Sequence, residues 1–284
     1  MKLASSYMRS IIVAVLTLFL FAACTKDEKP SEQNLYEKLR LVQYIENEHH
    51  RIGVYSRSGT LTVGYNDVYF QLEDKQGNVL YPASMSWLPM MYMSSGHSHS
   101  CPHADIAIAD KASWFQAFAI FTMASEGDGD YWQLEFTYVL NGQSYQLLGR
   151  VSVRPSPRRT LQQFLGADGK SYVIALKAPS EPIVGINEME VGLFQSHMGH
   201  HIEEVKDYII KIDPRMPTMG NHGSPNNTDL TYHPNGFYKG NLSLTMTGYW
   251  RINMVLLNQL GETIKGEPIT EDNESSSLYL ELEF

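Results

Sequence analysis

The chain has 284 residues, of which 43% are hydrophobic and 19% charged, ordinary values for a folded body. Its net charge of −9 argues against a nucleic-acid partner, which wants a basic surface.

The first 23 residues have the parts of a cleaved export signal. Lys2 and Arg9 supply positive charge, Ile11 to Phe21 is apolar except for Thr17, and Ala22-Ala23 precedes Cys24. The apolar core is too short to span a bilayer, which takes about 20 residues. The small-small-Cys ending resembles the lipobox of bacterial lipoproteins, which implies lipidation of Cys24. It also implies a cell-envelope location, on the outer membrane and, from Lys26-Asp27-Glu28, at the cell surface. With Cys24 lipidated, Cys101 is the one free thiol and no intrachain disulfide can form.

Residues 24–49 read as a polar tether, with a short helix expected over Glu32 to Tyr44 because Leu35, Leu39 and Val42 recur near helical spacing. Two copies of one unit follow. Arg51 to Asn66 aligns without a gap on Tyr172 to Asn187, matching Val63-Gly64 to Val184-Gly185 and Asn66 to Asn187. Further matches keep the same order: Met90 and Met93 with Met216 and Met219, Cys101-Pro102 with Ser224-Pro225, Met123 with Met246, and Tyr131-Trp132 with Tyr249-Trp250. The period-two alternation of Val68, Phe70 and Leu72, and of Leu134, Phe136 and Tyr138, indicates strands, and Asn141-Gly142 and Gly127-Asp128-Gly129 mark turns. The expectation is all-β: two tandem immunoglobulin-like antiparallel sandwiches at 50–154 and 170–284, joined by a linker at 155–169. Trp132 and Trp250 are then core anchors.

The chemistry-bearing segment of the first unit is MMYMSSGHSHSCPH, from Met90 to His103. Thioether, thiolate and imidazole are the donors Cu(I) prefers, and Ser and Gly let a loop wrap them around one ion. Met90, Met93, His97, His99, Cys101, His103 and Met123 are the candidates. Zinc is the variant, through Cys101 with His97, His99 and His103. The competing reading has the methionines filling a core gap and the histidines on a solvated loop. In the second unit RMPTMGNHGSP offers Met216, Met219 and His222, with Met246 just before the Tyr249-Trp250 strand. The cluster HMGHH, His197 to His201, falls in a turn at the opposite end of the sandwich and reads as a second metal site or a solvated turn.

PRMPTMGNHGSP, then GFYKGNLSLTMTGYWRI from Gly236 to Ile252, resembles the extracytoplasmic domains called YtkA-like or FixH-like, as does the opening Pro182 to Asn187. The resemblance covers most of the second unit and, more loosely, the first. It implies an immunoglobulin-like sandwich and a role in copper handling, with Met216, Met219, His222 and Met246 as ligands. The first unit departs from it, since Pro89 precedes Met90 and the His-rich insert is longer.

No nucleophile elbow, phosphate loop or HExxH occurs, and Cys101 beside His103 lacks an orienting acid, so no enzyme is expected. Two functions stand against each other. One is a membrane-anchored copper chaperone or buffer exchanging Cu(I) with an envelope partner. The other is a non-catalytic structural or adhesive lipoprotein with no metal.

Overall fold

A computed structural model describes residues 36–109, 113–125, 129–197 and 201–284. The export signal and Cys24 lie outside the described residues. Residues 39–284 form one compact unit; of the N-terminal unit, residues 1–38, only Tyr36 to Lys38 are described.

The first half holds β1 (Arg40–Glu46), β2 (His50–Ser56), β3 (Leu61–Thr62), β4 (Gly64–Asp74), β5 (Val79–Leu80) and β6 (Ser84–Tyr92). It continues with β7 (Ser98–Ser100), β8 (Ala107–Ile108), β9 (Phe115–Phe121), β10 (Tyr131–Leu140), β11 (Gln143–Val151) and β12 (Val153–Arg154). One sheet runs β1-β2-β4-β9-β8 with β5 beside β4, the other runs β11-β10-β6-β7, and β3 and β12 form a parallel pair. With β2 as strand A, the orders are A-B-E-D and G-F-C-C′, the immunoglobulin arrangement. Along β10 the residues Trp132, Leu134, Phe136, Tyr138 and Leu140 all point inward, which is why the period-two pattern was readable.

The second half repeats this order. Its strands are β13 (Leu161–Leu165), β14 (Ser171–Ala178), β15 (Gly185–His197), β16 (His201–Glu204), β17 (Ile209–Met216) and β18 (His222–Gly223). β19 (Leu230–Tyr232), β20 (Tyr238–Leu244), β21 (Tyr249–Leu257), β22 (Thr263–Lys265) and β23 (Leu278–Glu283) complete it. β13-β14-β15-β20 matches β1-β2-β4-β9, and β23-β21-β17-β18 matches β11-β10-β6-β7. Here β19 pairs with both β20 and β17, so the two layers join into one continuous sheet.

Each half has its own hydrophobic core, one around Phe70, Trp132 and Phe136 and one around Tyr238, Trp250 and Leu280. A third cluster, Ile120, Val173, Ala175 and Phe194 with Tyr65, Phe118, Leu161 and Ile202 against it, fills the seam between the halves.

Two expectations need correction. The helix over Glu32 to Tyr44 gives way at Arg40 to β1, an extra strand on β2. Asn47 causes the hairpin: its side-chain oxygen accepts the amides of His49 and His50, and this turn returns the chain antiparallel. The strands of the first half therefore begin at Arg40, inside the expected tether. Likewise the expected linker contains β13, which pairs with β14 along its whole length.

The shared Val-Gly-x-Asn motif has a physical cause. Gly64 and Gly185 take φ of 104° and 128°, which side chains rarely adopt. The buried Asn66 then accepts the Thr62 amide and donates to the carbonyls of Thr62 and Gly64; Asn187 does the same with Ile183 and Gly185.

Candidate metal centre

In the second half β17 ends at Met216, buried at 2% exposure. Met216 pairs with His222 across the hairpin to β18, and cross-strand partners present their side chains on one face. Arg215 pairs with Arg251, which puts Met216 in register with Trp250 on β21. Between β17 and β18 the 3-10 turn Pro217–Met219, closed by left-handed Gly220, leaves Met219 57% exposed. From the other side comes the loop that precedes β21. Trp250 Nε1 donates to the carbonyl of Met246 at 3.0 Å and fixes that loop. The Met216 methyl fills the space over Gly248, where a Cβ would approach it to 3.1 Å. Met246 itself is 37% exposed, and His222 is exposed. Two facing loops thus bring Met216, Met219, His222 and Met246 to one end of the sandwich.

The first half repeats the arrangement with a shift that the sequence alignment missed. On β6 the inward residues are Trp87, Pro89 and Met91, so Met90 faces the opposite side of the sheet. Met91, fully buried, pairs with both His99 and Trp132. It therefore occupies the place of Met216, and His99 that of His222. Counting alternate residues from Trp87 would have found it. Trp132 Nε1 donates to the carbonyl of Met123 at 2.9 Å, as Trp250 does to Met246. Met93 and Met123 are half-buried against the core, and the exposed His97 closes the hairpin turn, its carbonyl accepting the Met93 amide at 2.9 Å.

The remaining donors of the first half part company. His99 Nδ1 lies 2.9 Å from the Ser100 carbonyl, and its ring meets Trp132 edge-on at 5.9 Å. A carbonyl only accepts, so Nδ1 carries the proton and Nε2 keeps its lone pair. His103 makes the same bond, at 2.7 Å, to the Cys101 carbonyl, but it belongs to the seam beside Trp87. Cys101 is fully buried in the first core, and desolvation pushes its thiol far above the ordinary range. A buried neutral thiol is a poor ligand. Among the described residues no three His, Cys, Asp or Glu side chains group to hold an ion, so the zinc set of Cys101 with His97, His99 and His103 does not assemble. The physical reason is a change of sheet: β7 ends at Ser100, and past Pro102 the chain bridges Ala119 on β9 of the other sheet, which leaves Cys101 in the core and His103 at the seam.

Of the HMGHH cluster, His197 and His201 are paired strand ends, and residues 198–200 lie outside the described residues. Through β19 and β20, β17 runs antiparallel to β15 and so away from that turn, which puts Met216 toward the other end.

Comparison with known proteins places a YtkA-like domain at residues 167–255, from Ala167 in the turn after β13 to Val255 on β21. No curated protein matches the chain. Among solved structures the chain is similar to FdeC, an adhesin of Escherichia coli, at 13% identity, covering 78% of this chain with a TM-score of 0.24. The chain spans 62% of the length of that structure.

Proposed function

We propose that this protein is an extracytoplasmic, lipid-anchored copper-handling protein that binds Cu(I) at the loop end of each half and exchanges it with an envelope partner. One observation carries the reading: a buried Met paired across the strands with a His, beside a Trp-pinned, Met-bearing loop, built twice as Met216–His222 with Met246 and as Met91–His99 with Met123. Thioether and neutral imidazole suit a soft monovalent ion. His99 has its second ring nitrogen tied to a carbonyl, the support that metal-binding histidines require. The exposed Met219 and Met246 leave the second site open to ligand exchange, so no catalytic step is needed. The YtkA-like match over the second half supports the same reading.

Burial of Met91 and Met216 favours the competing reading, in which they are core packing and the molecule is a structural or adhesive module. Anaerobic Cu(I) titration of residues 25–284 against a competing chelator separates the two. Two ions are expected, one lost in the Met216→Leu, His222→Ala, Met246→Leu triple variant and the other in Met91→Leu, His99→Ala, Met123→Leu. No uptake above background rejects the copper reading.

A further inference from the structure

The seam between the two halves holds two adjoining clefts that the copper reading does not use. One, of about 360 Å³, is lined by Leu88, Cys101, His103, Phe118, Ile202 and Glu204, among others. The second, of about 260 Å³, adds Tyr65, Asp67, Asp105 and Gln116, and shares Ala104 and Phe118 with the first. Their charged lining is acidic, Asp67, Asp105 and Glu204, beside Cys101, His103 and tyrosines, and among the described residues neither cleft is lined by a lysine or arginine.

The polar groups present acceptors. His103 Nδ1 is spent on the Cys101 carbonyl, which leaves Nε2 to accept. The Glu204 carboxylate is held in place by the Tyr232 hydroxyl at 3.0 Å, and it packs where a Cβ on Gly236 would come within 2.9 Å of it. Between these acceptors the floor is apolar, formed by Phe118, Phe194 and Ile202. Apolar walls with a few placed polar groups characterise a ligand site. The chain lays one basic side chain on neighbouring aromatics: the Lys177 ammonium sits 4.1 Å from the Phe237 ring and 5.9 Å from that of Tyr65, its charge matched by Glu190, and Phe237 packs on Phe118.

We propose that the seam binds a partner polypeptide through its lysine or arginine side chains, with the aliphatic stem on Phe118, Phe194 and Ile202 and the cationic head at Glu204 and Asp105. Charge complementarity selects this occupant, because acidic and neutral side chains leave the carboxylates unpaired. The proposal is independent of copper.

The test is calorimetry on residues 25–284 with a blocked pentapeptide alternating lysine and valine, against the same peptide with glutamine for lysine. Saturable binding of the lysine peptide alone is expected, weakening as salt is raised. Glu204→Gln, which keeps the Tyr232 hydrogen bond, should weaken it about two- to fivefold. Ala104→Trp, which fills the wall shared by both clefts, should abolish it. If that variant does not fold, the Glu204→Gln, Asp105→Asn double variant takes its place, with a larger loss expected than for Glu204→Gln alone. No saturable binding, equal binding of both peptides, or binding indifferent to these substitutions overturns the proposal.

Discussion

Asn66→Ala is the sharpest probe of how each half is built. The side chain makes three hydrogen bonds, from the Thr62 amide at 3.0 Å and to the carbonyls of Thr62 and Gly64 at 2.7 and 2.9 Å. At a net contribution of about 1 kcal/mol each, with little water able to replace them at a buried residue, the loss is about 3 kcal/mol. Asn187→Ala removes the equivalent three bonds, at 2.9, 2.9 and 3.2 Å. There Ile183 is 62% exposed, so water reaches the freed backbone groups. The expected loss falls to about 2 kcal/mol. Asn66→Asp separates hydrogen bonding from shape: a carboxylate keeps the accepted bond but cannot donate the other two, so it should destabilise despite its equal size. Guanidinium denaturation followed by tryptophan fluorescence measures all three, with Trp250 the one tryptophan of the second half. Losses below about 0.5 kcal/mol in both alanine variants would show that the motif does not hold the strand start, and the physical account of the repeat would fail.

Other outcomes follow from single contacts. Gly248→Ala places a methyl against the Met216 thioether at a φ of 123°, so it should lower Cu(I) affinity in the second half without removing any donor; unchanged affinity in the chelator competition would put Met216 outside the site. Cys101 should resist iodoacetamide at pH 8 until denaturant is added, because the thiol is buried and its pKa raised; rapid labelling of the native protein, read by mass spectrometry, would contradict that burial. Desolvation by itself would raise the Glu190 carboxyl, but the ammonium groups of Lys177 and Lys239 outweigh it and hold the pKa below its ordinary 4.5. A depressed folded-state pKa stabilises above the unfolded value and is lost as pH falls through the folded one. Acid unfolding curves below pH 4.5 should therefore be flatter for Glu190→Gln than for the parent, and parallel curves would remove Glu190 from the account.

Much of this molecule was legible in its residues. Alternating apolar residues on half-buried strands repeat every second position, so Trp132 to Leu140 announced its own inward face. Val-Gly-x-Asn was visible twice because a positive-φ glycine and a buried asparagine tolerate few substitutes. β1 was hidden, since Leu35, Leu39 and Val42 satisfy helical spacing while pairing with β2 decides the outcome.

The donors show the boundary most clearly. Sequence by itself determined which residue types gather near each hairpin, because composition and spacing along the chain are local facts. Tertiary structure alone decided that Met91, and not Met90, stands with His99, since strand register assigns each side chain to one face and a shift of one residue reverses it. Tertiary structure likewise decided the fate of Cys101 and His103: the chain leaves β7 at Ser100 and crosses to β9 of the other sheet, burying Cys101 in the core and placing His103 in a seam cleft that Glu204 of the other half also lines.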